Sequence, residues 1–189
     1  MGYKVPVGVS NKHLHLSQAD LEVLFGAGYE LTFKKALVQP GQFAAEEQVE
    51  VVGPKGSATM RVLGPVRPET QVELSMTDAR SLGLKCPVRE SGKLDGSPAC
   101  KLVGPKGEVE IKQGAICALR HIHLNDEQAK EAGVVDKEFV SVKVEGERGL
   151  VFDQVLCRVG SAHFKEMHLD TDEANAAGIG NDAVVEILK

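Results

Sequence analysis

The sequence predicts a mainly β protein made of small, closed or nearly closed β-barrels with short α-helical caps. Three observations carry that expectation. Short alternating runs around tight polar turns read as hairpins, and a unit of strand end, polar cap, two-turn helix and glycine recurs four times. No strand leads into the long helix that a doubly wound parallel sheet would need. At 189 residues the chain can bury a real core, as one domain or as two small ones.

Taken in order, the chain enters at once on a strand-like stretch, MGYKVPVGVS, with neither a basic leader nor a long apolar segment behind it. HLHLSQADLEVLFGAG then forms the first strand-to-helix unit. Ser17 is its expected N-cap and Gly28 its stop, because a side-chain oxygen can accept the free N–H groups of a first turn and glycine tolerates the left-handed ending. VEVV and SATMRVL flank GPKG (residues 53–56) as a hairpin, and QVELSMTDARSLG follows as the second unit, with Thr77 as expected cap and Gly83 as stop. The Pro-, Gly- and Ser-rich stretch LKCPVRESGKLDGSPACK (84–101) reads as loop. CKLV and EVEI flank a second GPKG (104–107), and a division falls near Lys112 to Gly114. RHIHLNDEQAKEAG is the third unit (Asn125, Gly133). Residues 139–159 form a third hairpin around Gly146 and Gly149, and EMHLDTDEANAAG is the fourth unit (Thr171, Gly178).

Composition excludes several classes of function. Hydrophobic residues make up 42% and charged residues 26%, and no run approaches the roughly 20 apolar residues that span a bilayer, so no membrane association is expected and the reading is cytoplasmic. A net charge of −5 argues against a nucleic-acid partner, whose affinity would rest on a basic surface. Four cysteines lie far apart without a C-x-x-C pair, which fits free, packed thiols.

Of six histidines, four stand in two near-copies, NKHLHLS and LRHIHLN. On a strand, alternate side chains share a face, so His13 and His15, and likewise His121 and His123, project together with Cα atoms about 6.6 Å apart. Leu14 and Ile122 face the opposite side and pack. Aligning the four units on their caps puts His15, Glu73, His123 and His168 in one repeat position. Five imidazoles and a carboxylate suit two metals with three protein ligands each, the pattern of catalytic zinc with an open position, whereas a closed structural site would use four. Glu73 could serve instead as a general base; its place in the repeat favours ligand. His163 has no repeat counterpart and is expected to play a supporting part. An anion needs a cation beside the metals. Lys12 and Arg120 precede the histidine pairs but are turned away by the period of two, so Arg67, in the Gly/Pro-shaped turn before Glu73, is the better candidate.

VGVSNKHLHLS, LVQPGQFAAEEQVEVVGPKG, LGPVRPETQVELS, TDARSLG, ALRHIHLN and EMHLDTDEANAAG, in this order, resemble the PduL-type phosphate acyltransferases (phosphotransacylases) over nearly the whole chain. The resemblance implies two small β-barrels with a two-zinc site between them. One barrel would combine residues 1–29 with 113–189, and the central 30–112 would form the other. It implies His13, His15 and Glu73 around one metal, and His121, His123 and His168 around the second. Arg67 would be the catalytic, phosphate-binding residue. The ions would be zinc, other divalent metals being compatible.

The implied reaction is reversible transfer of acetyl or propanoyl between coenzyme A and inorganic phosphate. Acyl-CoA, CoA and phosphate would then be the partners, and a homodimer is the working expectation. Two departures stand out: Lys12 replaces a commonly found Arg, losing its planar fork, and the chain starts almost on its first catalytic strand, without the N-terminal helix of microcompartment members. A two-metal hydrolase of a phosphoester or amide, and a non-enzymatic metal-binding barrel, are the rival readings of the same ligands.

Overall fold

Alternate positions of 43–52 bury Ala45, Glu47, Val49 and Val51 while Glu46, Gln48 and Glu50 stay exposed, and such alternation recurs through a mainly β chain. A computed structural model describes residues 2–181 and 183–188. In chain order, β1 (Tyr3–Ser10) and β2 (His13–His15) precede α1 (Gln18–Phe25). Then come β3 (Phe33–Ala36), β4 (Phe43–Val52), β5 (Ser57–Gly64), β6 (Gln71–Glu73) and α2 (Met76–Leu82). The stretch expected as loop holds only the two-residue β7 (Val88–Arg89) before β8 (Cys100–Val103), β9 (Glu108–Ile111) and β10 (Ala115–Ala118). The remainder comprises β11 (His121–Leu124), α3 (Asp126–Ala132), β12 (Phe139–Val144), β13 (Leu150–Val159), β14 (Glu166–Asp170), α4 (Thr171–Ala177) and β15 (Val184–Leu188). No helix among the described residues is long and apolar enough to cross a membrane.

Two compact units result: Met1–Asn11, Val38–Pro40 and Leu119–Lys189 form one, and Lys12–Leu37 with Gly41–Ala118 the other. These boundaries correct the expected ones. Residues 12–29 and 113–118 belong with the central segment, because β2 pairs with β5 and β6 and β10 pairs with β6. The short insertion at 38–40 belongs with the first unit because the buried Gln39 amide donates to the Phe164 carbonyl (2.9 Å) and accepts from the Phe164 N–H (3.1 Å).

The first unit is a closed six-stranded barrel, β1-β14-β11-β13-β12-β15, around a core that includes Val5, Ile122, Leu124, Val142, Met167 and Leu169. The second is an open half-barrel sheet of nine strands, β7-β10-β6-β2-β5-β4-β8-β9 with β3 beside β4, closed over Leu14, Leu21, Leu24, Val62, Val72 and Leu102. Each fully buried leucine among these contributes about 1.5–3 kcal/mol.

The four helices start and stop as short capped elements. Ser17 and Asn125 are N-caps as expected, but α2 and α4 are capped by Ser75 and Asp170, not by Thr77 and Thr171. Asn125 with Gln128 and Asp170 with Glu173 complete capping boxes. Gly83, Gly133 and Gly178 end their helices in the left-handed region; α1 instead ends two residues early, at Gly26.

The two GPKG turns explain themselves against these helix ends. Lys55 N–H donates to the Leu82 carbonyl at the end of α2, and Lys106 N–H to the Leu24 carbonyl at the end of α1, each 3.0 Å away. Each turn thus satisfies a carbonyl that the helix leaves unpaired. The approach requires glycine: a Cβ on Gly53 would stand 2.3 Å from Leu82 O, and one on Gly104 2.6 Å from Leu24 O.

Candidate metal centres

β2 is only three residues long, yet it is hydrogen-bonded on both edges, parallel to β5 and antiparallel to β6. That pairing sets His13 directly opposite Glu73. β11 repeats the arrangement in the other unit, parallel to β13 and antiparallel to β14, with His121 directly opposite His168. Each unit therefore closes its own triad of candidate ligands: His13, His15 and Glu73 in one, His121, His123 and His168 in the other. Within each triad the ligand atoms lie within 4.8 Å of one another. Leu14 and Ile122 are fully buried on the opposite face.

The spacing of the donors, and the protonation of His15, Glu73 and His123, suit a divalent metal. In the first triad, His13 Nε2 lies 3.5 Å from Glu73 Oε2 and His15 Nε2 lies 3.7 Å from Glu73 Oε1. In the second, His121 Nε2 and His123 Nε2 are 3.1 Å apart. Ligands of a tetrahedral zinc at 2.0–2.1 Å stand roughly 3.3 Å from each other, so these spacings match. Second contacts aim the rings: His121 Nδ1 faces the Leu119 carbonyl at 2.8 Å and His15 Nδ1 faces that of Leu63 at 3.2 Å, leaving each Nε2 with its lone pair. Burial lowers the pKa of His15 to about 3, with His13 adding to the effect, and that of His123 to about 2, with His121 and His168 adding. Both imidazoles are neutral. Burial alone would raise the Glu73 pKa, but His13, His15 and Arg67 together hold its carboxyl well below the usual range. Among the described residues, the buried Nδ1 of His123 has no hydrogen-bond partner.

Arg67 lies close enough to the first triad to act on His15 and Glu73 through its charge. A bridge between Ser17 and Arg67, and an Arg67 N–H to Leu16 carbonyl bond of 2.9 Å, hold its backbone against the end of β2. Its Nη1 donates to Ser91 Oγ at 3.1 Å. Ser91 was not legible in the sequence, and neither was Gln71. Ser91 Oγ donates to Glu73 Oε1 at 3.1 Å, and Gln71 Nε2 donates to Ser91 Oγ at 2.8 Å and to Glu73 Oε1. A guanidinium, a hydroxyl, an amide and a carboxylate therefore form one network.

Lys12 and Arg120 occupy matching places outside the triads. Lys12 Nζ pairs with Asp78 (2.9 Å) and Arg120 Nη1 with Glu173 (3.0 Å), each acid lying five residues after the ligand of β6 or β14. His163 packs its ring edge-on 4.6 Å from that of His123, with Nδ1 2.9 Å from the Arg158 carbonyl, a supporting place beside the second triad.

Residues 6–180 match the family model described as phosphate propanoyltransferase. The chain belongs to the phosphate propanoyltransferase family. It is 55% identical to the phosphate propanoyltransferase of Thermotoga maritima over 185 residues, covering 97% of this chain and 88% of that one. Identity is also 55% to that of Lachnoclostridium phytofermentans over 189 residues (99% and 88%), and 51% to that of Salmonella typhimurium over 179 residues (94% and 85%). The resemblance to the PduL-type phosphate acyltransferases therefore holds across both units, and the chain is an enzyme of that class.

Proposed function

We propose that the chain transfers acetyl or propanoyl reversibly between coenzyme A and inorganic phosphate, with two zinc ions as cofactors, one held by each triad. Family membership supports the reaction class. The observation that carries the reading in the geometry is Arg67, held by Ser91 beside a buried triad of neutral imidazoles and an ionised carboxylate.

Phosphate is already an anionic nucleophile, so it needs position and charge neutralisation rather than an activated serine or cysteine. The planar fork of Arg67 matches two phosphate oxygens. Ser91 and Gln71 fix that fork and the Glu73 carboxylate in one orientation, so little reorganises on binding. A phosphate oxygen forms the bond to the thioester carbonyl carbon as the C–S bond breaks. The proton of hydrogen phosphate ends on the departing sulfur, giving acyl phosphate and CoA thiol. A metal held at the triads supplies a Lewis acid for the carbonyl oxygen and an affinity for thiolate. Because His15 and His123 are neutral and Glu73 ionised, binding the metal requires no deprotonation of these groups at neutral pH.

The test is thiol release from acetyl-CoA and propanoyl-CoA by metal-replete enzyme, with and without phosphate, alongside trapping of the acyl phosphate with hydroxylamine. Release that depends on phosphate and yields trapped product is expected. Equal release without phosphate overturns acyl transfer and marks a hydrolase.

A further inference from the structure

The turn that carries Arg67 is held by contacts that the acyl-transfer reading leaves unused. Around Arg67, the side chains of Pro65, Val66, Pro68 and Glu69 are exposed, so packing does little to fix this stretch. It is fastened instead at two points to the junction of β2 and α1. The first is the bond from the Arg67 N–H to the Leu16 carbonyl. The second is Thr70, a buried residue whose Oγ1 accepts the Ser17 N–H at 2.9 Å and donates to Asp20 Oδ2. The same Asp20 oxygen accepts from Ser17 Oγ at 2.9 Å, and the Asp20 N–H donates back to Ser17 Oγ at 3.1 Å.

The other helices show what sets this junction apart. In α3 and α4 the third residue of the helix reaches back to its own cap: Gln128 Oε1 accepts the Asn125 N–H and Glu173 Oε2 the Asp170 N–H, each at 3.0 Å. In α1 that third residue is Asp20, shorter by one methylene, and the N–H of the cap goes to Thr70 instead. The Thr70 hydroxyl stands between the Ser17 N–H and the Asp20 carboxylate, completing from outside a capping box that α1 leaves open. In α2, Asp78 holds the matching place and gives its Oδ1 to Lys12.

We infer that Thr70 and Asp20 are positioning residues for phosphate: they lock the Arg67 turn onto the start of α1 and so hold the guanidinium where Ser91 meets it. This inference rests on reading Arg67 as the phosphate-binding residue. A hydroxyl with one donor and one acceptor partner has a single orientation. Replacing it with a methyl group strands the Ser17 N–H and one bond of the Asp20 carboxylate together, so the turn shifts to find other partners. A shift of an ångström in the Arg67 fork is felt at the anion it binds.

The test is steady-state kinetics on the full chain, with phosphate and propanoyl-CoA varied separately and zinc content and melting temperature measured in parallel. The variants are Thr70→Val, Thr70→Ser, Asp20→Glu and Arg67→Ala. Thr70→Val should raise the KM for phosphate about tenfold while the KM for propanoyl-CoA and the zinc content stay at the parent's values. Thr70→Ser should restore the parent KM, since the hydroxyl alone is needed. Asp20→Glu is long enough to close the box within the helix, as Glu173 does, so it should keep the melting temperature yet release Thr70 and raise the KM for phosphate. A parent KM for phosphate in Thr70→Val overturns the inference, and so does a serine variant as weak as valine. Zinc loss, or an equal rise in both KM values, also overturns it, because the network would then support the triad or the fold at large. Should Thr70→Val fail to fold, Asp20→Glu decides, and a parent KM for phosphate there overturns the inference. If Arg67→Ala keeps the parent KM for phosphate, the reading of Arg67 fails and the role of Thr70 falls with it; if Arg67→Ala is impaired and Thr70→Val is not, only the role of Thr70 falls.

Discussion

In the proposed reaction Arg67 has a role that a lysine can only half perform, because one ammonium would supply the charge without the two-pronged fit to phosphate or the hydrogen bond to Ser91 in the same plane. Arg67→Lys should raise the KM for phosphate about tenfold, and Arg67→Ala should cost roughly 10²-fold or more in kcat/KM for phosphate while leaving the metal content intact. Steady-state kinetics with phosphate varied and zinc measured in parallel check both. A different carboxylate links pH to stability. Glu47 is buried on β4; burial would raise its pKa, but hydrogen bonds from the Thr32 N–H (3.0 Å) and the Tyr29 hydroxyl (2.9 Å) outweigh this and hold it below its ordinary 4.5. A carboxyl depressed in the folded state stabilises above its unfolded pKa and loses that contribution as pH falls through its folded value. Glu47→Gln should therefore destabilise by about 1–3 kcal/mol at pH 7, with a gap that narrows below pH 4.5, as denaturant titrations at both ends would reveal. The six ligand candidates and Arg67 were readable in sequence because the histidines repeat and Glu73 and His168 share their place. Ser91 and Gln71 were not: Ser91 sits in an irregular loop 18 residues from Glu73, and the place of Gln71 is filled differently in the other copies.

At the scale of elements, the paired GPKG turns are helix terminators supplied from a distance. Gly53→Ala would push a methyl group into the Leu82 carbonyl and should cost about 1–3 kcal/mol, comparable to overpacking a core, whereas Gly92→Ala meets no atom within 4 Å although its positive φ strains it. Thermal unfolding of Gly53→Ala checks the first figure; loss below 0.5 kcal/mol would mean the turn does not hold the helix end. All three hairpins and all four short helices were legible from turn residues and periodicity. The caps of α2 and α4 were misplaced by one or two residues because serine or aspartate stands just before each threonine, and only the end of the preceding strand decides which side chain meets the first turn. Closure was less legible still. Whether a sheet curls into a full barrel or stops as a half-barrel depends on which distant strands share an edge, and alternation along one strand carries no record of that.

For the whole molecule, one triad per unit predicts separable metal stoichiometry. With one zinc per triad, as proposed, His15→Ala and His123→Ala should each remove one equivalent and the double variant should hold none; single variants that lose both would mean the centres are coupled. Chelation should lower the melting temperature, since a ligand at 1,000 times its Kd contributes about 4 kcal/mol of stability. The unit boundaries were missed in sequence because the chain leaves one unit and enters the other within a few residues, between Asn11 and Lys12, with no linker composition to mark the crossing. That crossing bears on how the protein is made. β1 is synthesised long before its partners β14 and β15 emerge. At 5–20 residues per second the ribosome needs roughly 10–30 s between them, during which the second unit, complete by residue 118, can fold while β1 waits with both edges bare. Val5 and Val7, fully enclosed in the finished barrel, are then exposed on a nascent strand until β14 and β15 emerge to cover them.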